Sequence, residues 1–423
     1  MGNFLPKISI QIVSRYVPAE NKSGPFTYLF DIMRYLHRIG CHLELNILDP
    51  WFQVRNIPGA VQEMANVVIM PALPEANQRQ FSIKTLFRPI YTRLPNSVLH
   101  PVRKAFYDLQ GKPLPGIHPH DAPATQEEIA FIAERMTAFR PDVLITNHTC
   151  LGNTFEMKTF ENASILKIIL THHIESQRTH DFNRARLSSR DSLWNREYEA
   201  NLLQHADVLL AIQKEDATVL KEMAPQCEVL YAPMSATYHP HEPAEQVAGR
   251  CLFVGSDIDH NVHGMTWFLH EVWPLVLQQH SQATLHVCGT VCSKIDHTFP
   301  KVQLLGRVEQ IETEYAATEV CLIPLVVGSG LKIKLVEALS HGRACVATSV
   351  GVQGVQELRG KAVLVADTPY DFARDVISVL ANADQRCKME EEARRYVIEK
   401  LLPEKTYQPF IKRIYEHLTQ LVR

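Results

Sequence analysis

The chain has 423 residues, a length that suggests two domains and not a single core. Hydrophobic residues make up 46% and charged residues 21%, the balance of a globular enzyme and not of a disordered or fibrous protein. The net charge of -3 argues against a general nucleic-acid binder, because such proteins carry many lysines and arginines on one face. No nucleic-acid partner is therefore expected.

The first half of the chain begins with an alternation of strands and helices. A short apolar strand over residues 7–13 leads into a loop that ends at Ser23 and Gly24, and a helix follows. Gly40 is expected to end that helix, and the next strand covers residues 42–48. The apolar residues on one face of the helix are Leu29, Ile32, Met33, Leu36 and Ile39.

Further β-rich runs continue this rhythm in both halves, with helical stretches between most of them, such as the one around residues 194–205. An alternation of this kind predicts an α/β protein with parallel sheets. The runs cover residues 142–148, 165–172, 207–213, 227–233, 250–256, 284–289, 302–308, 320–326, 344–350 and 361–367.

A segment rich in Pro, His and Ala, residues 233–249, shows no periodicity and is expected to link two domains. The predicted organisation is an N-terminal Rossmann-like domain over residues 1–240 and a C-terminal one over 241–402. A final amphipathic helix over residues 403–423 is expected to pack back on the N-terminal domain.

The cysteines and the N-terminus indicate the compartment. The nine cysteines are scattered, and an odd number does not fit a disulfide framework, so they are expected to be reduced core residues. The N-terminus lacks the apolar core of a signal peptide, and no apolar run approaches the roughly 18 residues of a membrane span. The expected location is cytoplasmic.

The most informative segment covers residues 326–354, where a strand, a Gly-rich turn, a helix and a second strand follow one another. Gly328 and Gly330 let the backbone approach a ligand closely. The helix that begins near Leu331 directs its free N–H groups at that ligand. This arrangement suits a diphosphate.

Two lysines strengthen the anion hypothesis. Lys332 and Lys334 are placed in the first helical turn, where positive charge opposes the helix dipole unless an anion occupies the end. Glu337, about two turns into the helix, is within reach of ribose hydroxyls. The alternative is that the glycines only shape a turn and that Lys334 and Glu337 form a solvated pair.

This segment resembles the signature of the retaining GT-B glycosyltransferases of family 4, also called glycosyltransferase group 1. The likeness extends through residues 254–274 and 304–324, so it covers nearly all of residues 250–360 in the right order. The resemblance implies a GT-B fold, in which two Rossmann-like domains with parallel sheets face a central cleft. It also implies a nucleotide-diphosphate sugar as donor, retention at the anomeric carbon, and no metal or other cofactor.

The resemblance assigns donor contacts residue by residue. Glu337 matches the second glutamate of the family's E-x7-E motif and would bind the donor ribose, while Arg307 and Val308 lie where family backbone groups meet the nucleobase. The implied donor-binding set is Gly255, Ser256, Arg307, Val308, Ser329, Gly330, Leu331, Lys332, Lys334 and Glu337.

The sequence departs from the family pattern at two positions. Ser329 replaces the first glutamate of E-x7-E, and Ser256 replaces an arginine that follows the first C-terminal strand. Lys332 and Lys334 are expected to supply the charge that the arginine would give.

In the N-terminal half, residues 167–178 resemble the family segment that ends in a histidine facing the sugar. His172 takes that position, and His173 stands where relatives often have aspartate. The alternative is a structural histidine at a strand end. The loop at Ser23 and Gly24 matches the Gly-rich acceptor-side loop only loosely. The candidate catalytic residues are His172, Lys332 and Glu337.

No metal is assigned. Asp257 and Asp259 form a D-x-D motif, but the loop offers no further carboxylate, so solvated charges are the better explanation. The remaining pairs lack further ligands in the sequence: His118 with His120, His239 with His241, and Cys288 with Cys292.

Residues 77–107 contain six basic residues and no acid, mixed with aromatic and aliphatic side chains. This composition suits an anionic membrane surface or a lipid-linked acceptor; the alternative is the basic flank of an ordinary insertion. A peripheral position at the inner face of a membrane is thus one expectation.

The function expected from the resemblance is transfer of a sugar to a glycan, a lipid-linked or a small-molecule acceptor, as in surface polysaccharide synthesis. Two other hypotheses stay open. One is a nucleotide-sugar epimerase or hydrolase on the GT-B fold, and the other is a non-catalytic GT-B subunit, which the serines at 329 and 256 suggest.

Overall fold

The computed structural model describes residues 8–20, 24–48, 56–71, 122–156, 164–184, 194–241, 245–295, 299–328 and 330–421. These residues form two sheets in which every pair of neighbouring strands is parallel. The predicted α/β class is therefore confirmed.

The first sheet has seven strands in the order β3-β2-β1-β4-β5-β6-β7. Most of its strands are buried on both faces, so they appear in the sequence as nearly continuous apolar runs. The strands are β1 (Ser9–Ser14), β2 (His42–Ile47), β3 (Asn66–Ile69), β4 (Val143–Asn147), β5 (Leu166–Leu170), β6 (Val208–Ala211) and β7 (Glu228–Tyr231).

Helices connect these strands and cover the sheet. A 3₁₀ helix, Thr149–Glu156, follows β4. The α-helices are α1 (Gly24–Arg38), α2 (Gly59–Met64), α3 (Gln126–Phe139), α4 (Glu175–Arg184), α5 (Arg196–Leu203) and α6 (Lys214–Met223).

The second sheet has six strands in the order β10-β9-β8-β11-β12-β13. Its first three strands are β8 (Arg250–Val254), β9 (Thr284–Cys288) and β10 (Val302–Gly306), and the others are β11 (Val320–Ile323), β12 (Cys345–Ala347) and β13 (Val363–Val365). In both sheets the strand order reverses at the first strand, next to β4 and β11 respectively. Ligands of open parallel sheets bind outside the carboxyl ends of the strands at such points.

The helices of the second half pack on this sheet. Helix α7 (Asp259–Trp267) continues through a π-helical turn, Phe268–Val272, into α8 (Trp273–Gln279). Short 3₁₀ helices cover Thr290–Lys294 and Gln356–Leu358. The remaining α-helices are α9 (Ile311–Ala316), α10 (Ile333–Ser340), α11 (Pro369–Ala381) and α12 (Ala383–Tyr396), and a π-helical turn, Val397–Leu401, follows α12.

The C-terminal segment returns to the N-terminal sheet, as predicted. It is not one helix but two, α13 (Pro403–Thr406) and α14 (Gln408–Leu421), which are separated at Tyr407. Arg413 of α14 pairs with Glu228 of β7 at 2.7 Å, and the ring of His417 lies 3.1 Å from the carbonyl oxygen of Ser164. Pro409, two residues after Tyr407, has no backbone N–H and so cannot continue the hydrogen bonds of one long helix across this point.

Other sequence predictions need correction at their ends. Gly40, at φ +89°, follows the end of α1 as expected, but Ile39 lies beyond that helix and is 37% exposed. Strand β3 was not predicted, and Cys387 is exposed whereas the other eight cysteines are buried. In the described part of the chain, no helix has both the length and the apolar character to cross a membrane.

Candidate functional site

The two halves of the predicted site meet where the carboxyl ends of the sheets face each other. Gly330, in the turn after β11, lies so close to the loop after β5 that a side chain would place its Cβ 2.7 Å from the carbonyl oxygen of His172. The φ of Gly330 is +75°, a conformation that glycine adopts without strain. The structure therefore brings the Gly-rich turn and the predicted histidine together across one cleft.

Lys332 occupies the N-cap position of α10, which begins at Ile333 and not near Leu331 as predicted. Its ammonium group is buried and donates hydrogen bonds to the carbonyl oxygen of Gly330 at 2.7 Å and to Gln353 Oε1 at 2.9 Å. Burial, together with the neighbouring Lys334, lowers the pKa of Lys332 to about 7. Lys332 thus precedes the first helical turn, and Lys334 alone lies within it.

Lys334 connects α10 to the loop after β8. Its ammonium donates to Asn261 Oδ1, and the Asn261 amide donates to the carbonyl oxygen of Ser256 at 3.0 Å. Burial lowers the pKa of Lys334 to about 8. The solvated Lys334–Glu337 pair that the alternative hypothesis required is therefore replaced by a bond to Asn261 in a buried setting.

Gly255 and Ser256 form the turn between β8 and α7. The amide of Gly255 donates to the carbonyl oxygen of Cys288 at 3.0 Å, and a Cβ at Gly255 would lie 2.7 Å from the ring of Phe253. A side chain at Gly255 would therefore require the Phe253 ring to shift, and the turn sets Ser256 beside Asn261.

Glu337 lies one turn into α10, on the side of Tyr315. Burial raises its pKa to about 7, and the hydrogen bond from the Tyr315 hydroxyl and the charge of Lys334 offset part of that rise. Leu331, which directly precedes the N-cap residue of α10, is buried against Gly354. Arg307 is exposed and Val308 half-buried after β10, at the same edge of the sheet.

His172 is buried against other aromatic side chains of the N-terminal domain. Its ring stacks on His148 with 4.1 Å between centroids and meets the edge of Tyr28 at 5.5 Å. His172 Nε2 lies 2.7 Å from Asn147 Oδ1. Burial, and the neighbouring His173, lower the pKa of His172 to about 3, so the ring is neutral at pH 7.

A buried carboxylate follows this histidine. Glu175, the first residue of α4, lies with its Oε1 atom 2.9 Å from His173 Nε2 and its Oε2 atom 3.5 Å from Arg178. Burial alone raises the pKa of Glu175, but His173 and Arg178 overcome it and lower the pKa to about 2. Glu175 is ionised, and it holds Arg178 and the His173 ring at the cleft.

Cations from both domains converge on this place. His260, at the start of α7, is acted on by Lys334, Lys332 and Arg178, and its pKa is well below the usual value because of burial and these three charges. Arg178 belongs to α4 of the N-terminal domain, whereas the other three residues belong to the C-terminal one. Positive groups in such proximity favour an anionic ligand.

Several predicted residues lie outside the described residues: Ser23, Ser329, His118, His120 and the basic stretch 77–107. Gly24 is the first residue of α1.

The discounted metal motifs have other partners. Asp257 accepts a hydrogen bond from the Thr290 hydroxyl at 2.9 Å. His239 and His241 do acquire a third histidine, because the His341 ring stacks on both and its Nδ1 lies 2.8 Å from His241 Nε2. Among the residues whose placement is described, no group of three or more ligating side chains is arranged to hold a metal ion.

Comparison with known proteins assigns the second half of the chain. Residues 248–382 match the family model "Glycosyl transferases group 1". Residues 248–382 are a group 1 glycosyltransferase domain. Domains of this family belong to glycosyltransferases, EC 2.4. The predicted family is confirmed.

The whole glycosyltransferase chain is similar in fold to sucrose-phosphate synthase of Thermosynechococcus elongatus, with a TM-score of 0.66, 13% identity and coverage of 98% of this chain and 100% of that one. It is also similar to an S. aureus TarM mutant in complex with fondaparinux, alpha-GlcNAc-glycerol and UDP, with a TM-score of 0.67, 9% identity and coverage of 96% and 100%. At these identities the likeness establishes the GT-B fold alone, which confirms the predicted fold class.

A curated relative from Klebsiella pneumoniae is described as an uncharacterized 44.6 kDa protein in the cps region. It is 24% identical over 143 residues, which cover 31% of this glycosyltransferase and 37% of the relative. The two chains thus match over little more than one third of the relative's length.

Sequence reasoning missed Asn147, Glu175, Arg178, Asn261 and Tyr315. Two of them had a local signal: Glu175 and Arg178 follow His172 and His173 at short spacing on one helix turn. Asn147, Asn261 and Tyr315 come from three distant segments, and only the packing of β4, α7 and α9 brings them to the site.

Proposed function

We propose that this glycosyltransferase moves a sugar from a nucleotide-diphosphate sugar to a glycan or lipid-linked acceptor, with retention and without a metal. The observation that carries the proposal is the meeting of Lys332, Lys334 and Glu337 of the α10 segment with His172 of the other domain. The two lysines, the turn at Gly330 and the His172 ring thus lie at one cleft.

The donor diphosphate would lie at the N-terminal end of α10. Departure of the nucleoside diphosphate develops negative charge, and the backbone N–H groups after Gly330, Lys332 and Lys334 would stabilise that charge. Arg178 adds a positive group from the N-terminal side of the cleft, and the neutral His260 ring lies beside it. Glu337 would accept hydrogen bonds from the ribose, and His172 would face the sugar.

The descriptions of two similar proteins support a glycan acceptor. The Klebsiella relative is described by its place in the cps region, and the TarM complex contains a GlcNAc-glycerol and an oligosaccharide. On this basis we propose that the acceptor of this chain is a polysaccharide or a lipid-linked glycan.

The epimerase or hydrolase hypothesis and the non-catalytic hypothesis predict different products. An epimerase would change the donor sugar without an acceptor, and a non-catalytic subunit would turn over no donor. Mass spectrometry of a panel of nucleotide sugars, with and without a cell-envelope extract, separates the three. Extract-dependent loss of one donor supports transfer, whereas an isomerised donor or no turnover contradicts it.

Glu337→Ala is expected to weaken binding of the active nucleotide sugar, with UDP-glucose as the first probe, by about 1.5–3 kcal/mol, because charge-assisted bonds to the ribose are lost. That is a roughly 10- to 150-fold higher Kd in a calorimetric titration. Glu391→Ala, an exposed change on α12, is the matched control and should bind as the wild type does. Equal affinity of the folded Glu337→Ala protein would remove the ribose assignment.

We also propose that residues 77–107 contact an anionic membrane at its inner face, since each basic residue near such a surface contributes about 1 kcal/mol. The measurement is sedimentation with anionic vesicles at low and high salt. The test protein changes Arg88, Arg93, Arg103 and Lys104 to glutamine. Equal sedimentation of the two proteins, or no binding of the wild type at low salt, contradicts membrane contact and favours an acceptor in solution.

A further inference from the structure

Behind His172 runs a short chain of hydrogen bonds that ends at β1. The Ser14 hydroxyl donates to the carbonyl oxygen of Tyr16 at 2.8 Å. A serine hydroxyl has only one hydrogen, so its oxygen must accept in its other contacts. It accepts from the Asn147 side-chain amide at 3.0 Å and from the Tyr16 backbone amide at 2.9 Å.

These bonds fix the direction of the Asn147 side chain. Since Asn147 Nδ2 faces Ser14, Asn147 Oδ1 faces His172 Nε2, at 2.7 Å. The reversed amide would direct an oxygen at Ser14 and require the hydroxyl to leave Tyr16. The amide orientation is therefore determined by the hydrogen-bond network.

An amide oxygen only accepts hydrogen bonds, so His172 Nε2 must carry the hydrogen. In a neutral imidazole the other nitrogen, Nδ1, then holds the lone pair and accepts. The ring is kept neutral by its burial between His148 and Tyr28 and by its neighbour His173, although Glu175 opposes this effect.

We propose that Asn147 and Ser14 are positioning residues that hold His172 as the Nε2–H tautomer, so that Nδ1 accepts a hydrogen bond from a hydroxyl of the transferred sugar. The tautomer itself is independent of the proposed function, and only the sugar contact rests on it. The consequence is a substrate restriction: the sugar must carry a hydroxyl where it meets His172, and a deoxy sugar at that carbon is a poor donor.

The tautomer is measured on the full chain without ligand, by long-range 1H–15N spectra of histidine-labelled protein at pH 7.5. His172→Gln identifies the His172 signals by their loss. The wild type should show a protonated Nε2 and an unprotonated Nδ1. Asn147→Ala and Ser14→Ala should both shift His172 toward a mixture of tautomers.

Asn153→Ala is the matched control, because the Asn153 side-chain amide forms its hydrogen bonds with the backbone of Ala124. It should leave the His172 signals unchanged. A wild-type Nδ1–H tautomer overturns the inference, as does an unchanged tautomer in the folded Ser14→Ala and Asn147→Ala proteins. If Asn147→Ala does not fold, the wild-type spectrum and Ser14→Ala still decide.

The sugar contact has a separate readout. In Asn147→Ala, kcat/KM for hydrolysis of UDP-glucose, or of the donor from the screen, should fall roughly tenfold, the worth of one hydrogen bond, while the Kd for free UDP stays within about twofold. The sugar contact is overturned if the affinity for UDP falls as much as kcat/KM does. It is also overturned if Asn147→Ala keeps full activity although His172 no longer holds the Nε2–H tautomer. Failure of UDP and every donor to bind contradicts the proposed function instead and leaves the spectra as a test of the tautomer.

Discussion

Burial acts in opposite directions on three ionisable side chains of helix α10 and its N-cap: Lys332, Lys334 and Glu337. It lowers the pKa of Lys332 to about 7 and that of Lys334 to about 8, and it raises the pKa of Glu337 to about 7. Each group is consequently less charged near neutral pH than it would be in water. The proposed contacts to a diphosphate and a ribose require the charged forms, so binding of a nucleotide sugar is expected to depend on pH.

The affinity for UDP-glucose is expected to peak near pH 7 and to fall on both sides. As pH falls through 7, Glu337 takes up a proton and no longer accepts charge-assisted bonds. As pH rises through 7 and then 8, Lys332 and Lys334 lose their protons and their attraction for the diphosphate. On either side of the maximum, the Kd should rise by up to about tenfold per pH unit for each group that loses its charge. Calorimetry from pH 5.5 to 9 measures both limbs.

Single variants assign the two limbs. Glu337→Gln should flatten the acid limb, and Lys332→Arg should flatten part of the alkaline limb, because a guanidinium stays charged throughout this range. A profile that is the same in both variants and in the wild type would show that other groups set the pH dependence.

The same shifts act on stability with opposite signs. The pKa of Glu337 is higher in the folded chain than unfolded, so its contribution is present below about pH 4.5 and is lost as pH rises through 7. Lys332 has a lower pKa in the folded chain, so the unfolding free energy rises between about pH 7 and 10.5. Neutral pH is where this cluster stabilises the empty protein least.

Among the elements, the buried parallel strands were predicted well, whereas an edge strand was missed and a helix start was misplaced. Strands such as β4 and β6 are buried throughout, which gives apolar runs that a sequence shows directly. Strand β3 has only four residues and lies at the sheet edge with no buried residue, so it lacks that pattern. The start of α10 was misplaced because Lys332 caps the helix without a side-chain hydrogen bond, and no N-cap residue type marks it.

The residues of the candidate site also fall into two groups, those that a local sequence motif identifies and those that only tertiary packing brings together. Gly330, Lys332, Lys334 and Glu337 lie within eight consecutive residues, so one local motif identifies them. Asn261 reaches Lys334 from α7, and its role follows only from how two elements pack. Sequence order cannot give such contacts, since they depend on the tertiary arrangement.

Gly330→Ala tests the close approach of the Gly-rich turn to the His172 loop. A Cβ would meet the His172 carbonyl oxygen at 2.7 Å, and backbone atoms cannot move aside as a flexible side chain can. Turnover of the donor should therefore fall by more than about tenfold, with a stability loss of about 1–2 kcal/mol from the left-handed φ. Kinetics and thermal unfolding measure the two effects.

Gly360→Ala is the matched control, because Gly360 also has a left-handed φ, +73°, but nothing lies within 4 Å of the position of its Cβ. It should lose similar stability and keep its turnover. If both variants turn over the donor equally well, the contact between the turn and the histidine loop has no functional role.

At the scale of the whole molecule, the chain passes through both domains and then returns to the first. Residues 232–236 leave β7, and the carbonyl oxygen of Leu401 accepts from the Ala236 amide at 2.8 Å, so the outgoing and returning segments run side by side. Tyr28, whose ring contacts His172, donates its hydroxyl to Ala232 at the same crossing. The crossing thus lies directly behind the histidine side of the cleft.

Asp31 of α1 ties this crossing together. Its carboxylate accepts from the amide and the hydroxyl of Ser235, both at 2.8 Å, and from the hydroxyl of Tyr407, which separates α13 from α14. One buried carboxylate therefore holds the start of the linker and the start of the C-terminal helix against the N-terminal domain.

Tyr407→Phe is expected to lower the unfolding free energy by about 1–3 kcal/mol, because the buried Asp31 carboxylate loses a hydrogen-bond donor. Tyr415→Phe, a half-buried change on α14, is the control and should stay within about 0.5 kcal/mol of the wild type. Urea unfolding followed by tryptophan fluorescence measures both. The same loss in the two variants would mean that the Tyr407 hydroxyl adds nothing specific, and that apolar packing of Phe410 and Ile414 alone holds the returning helix in place.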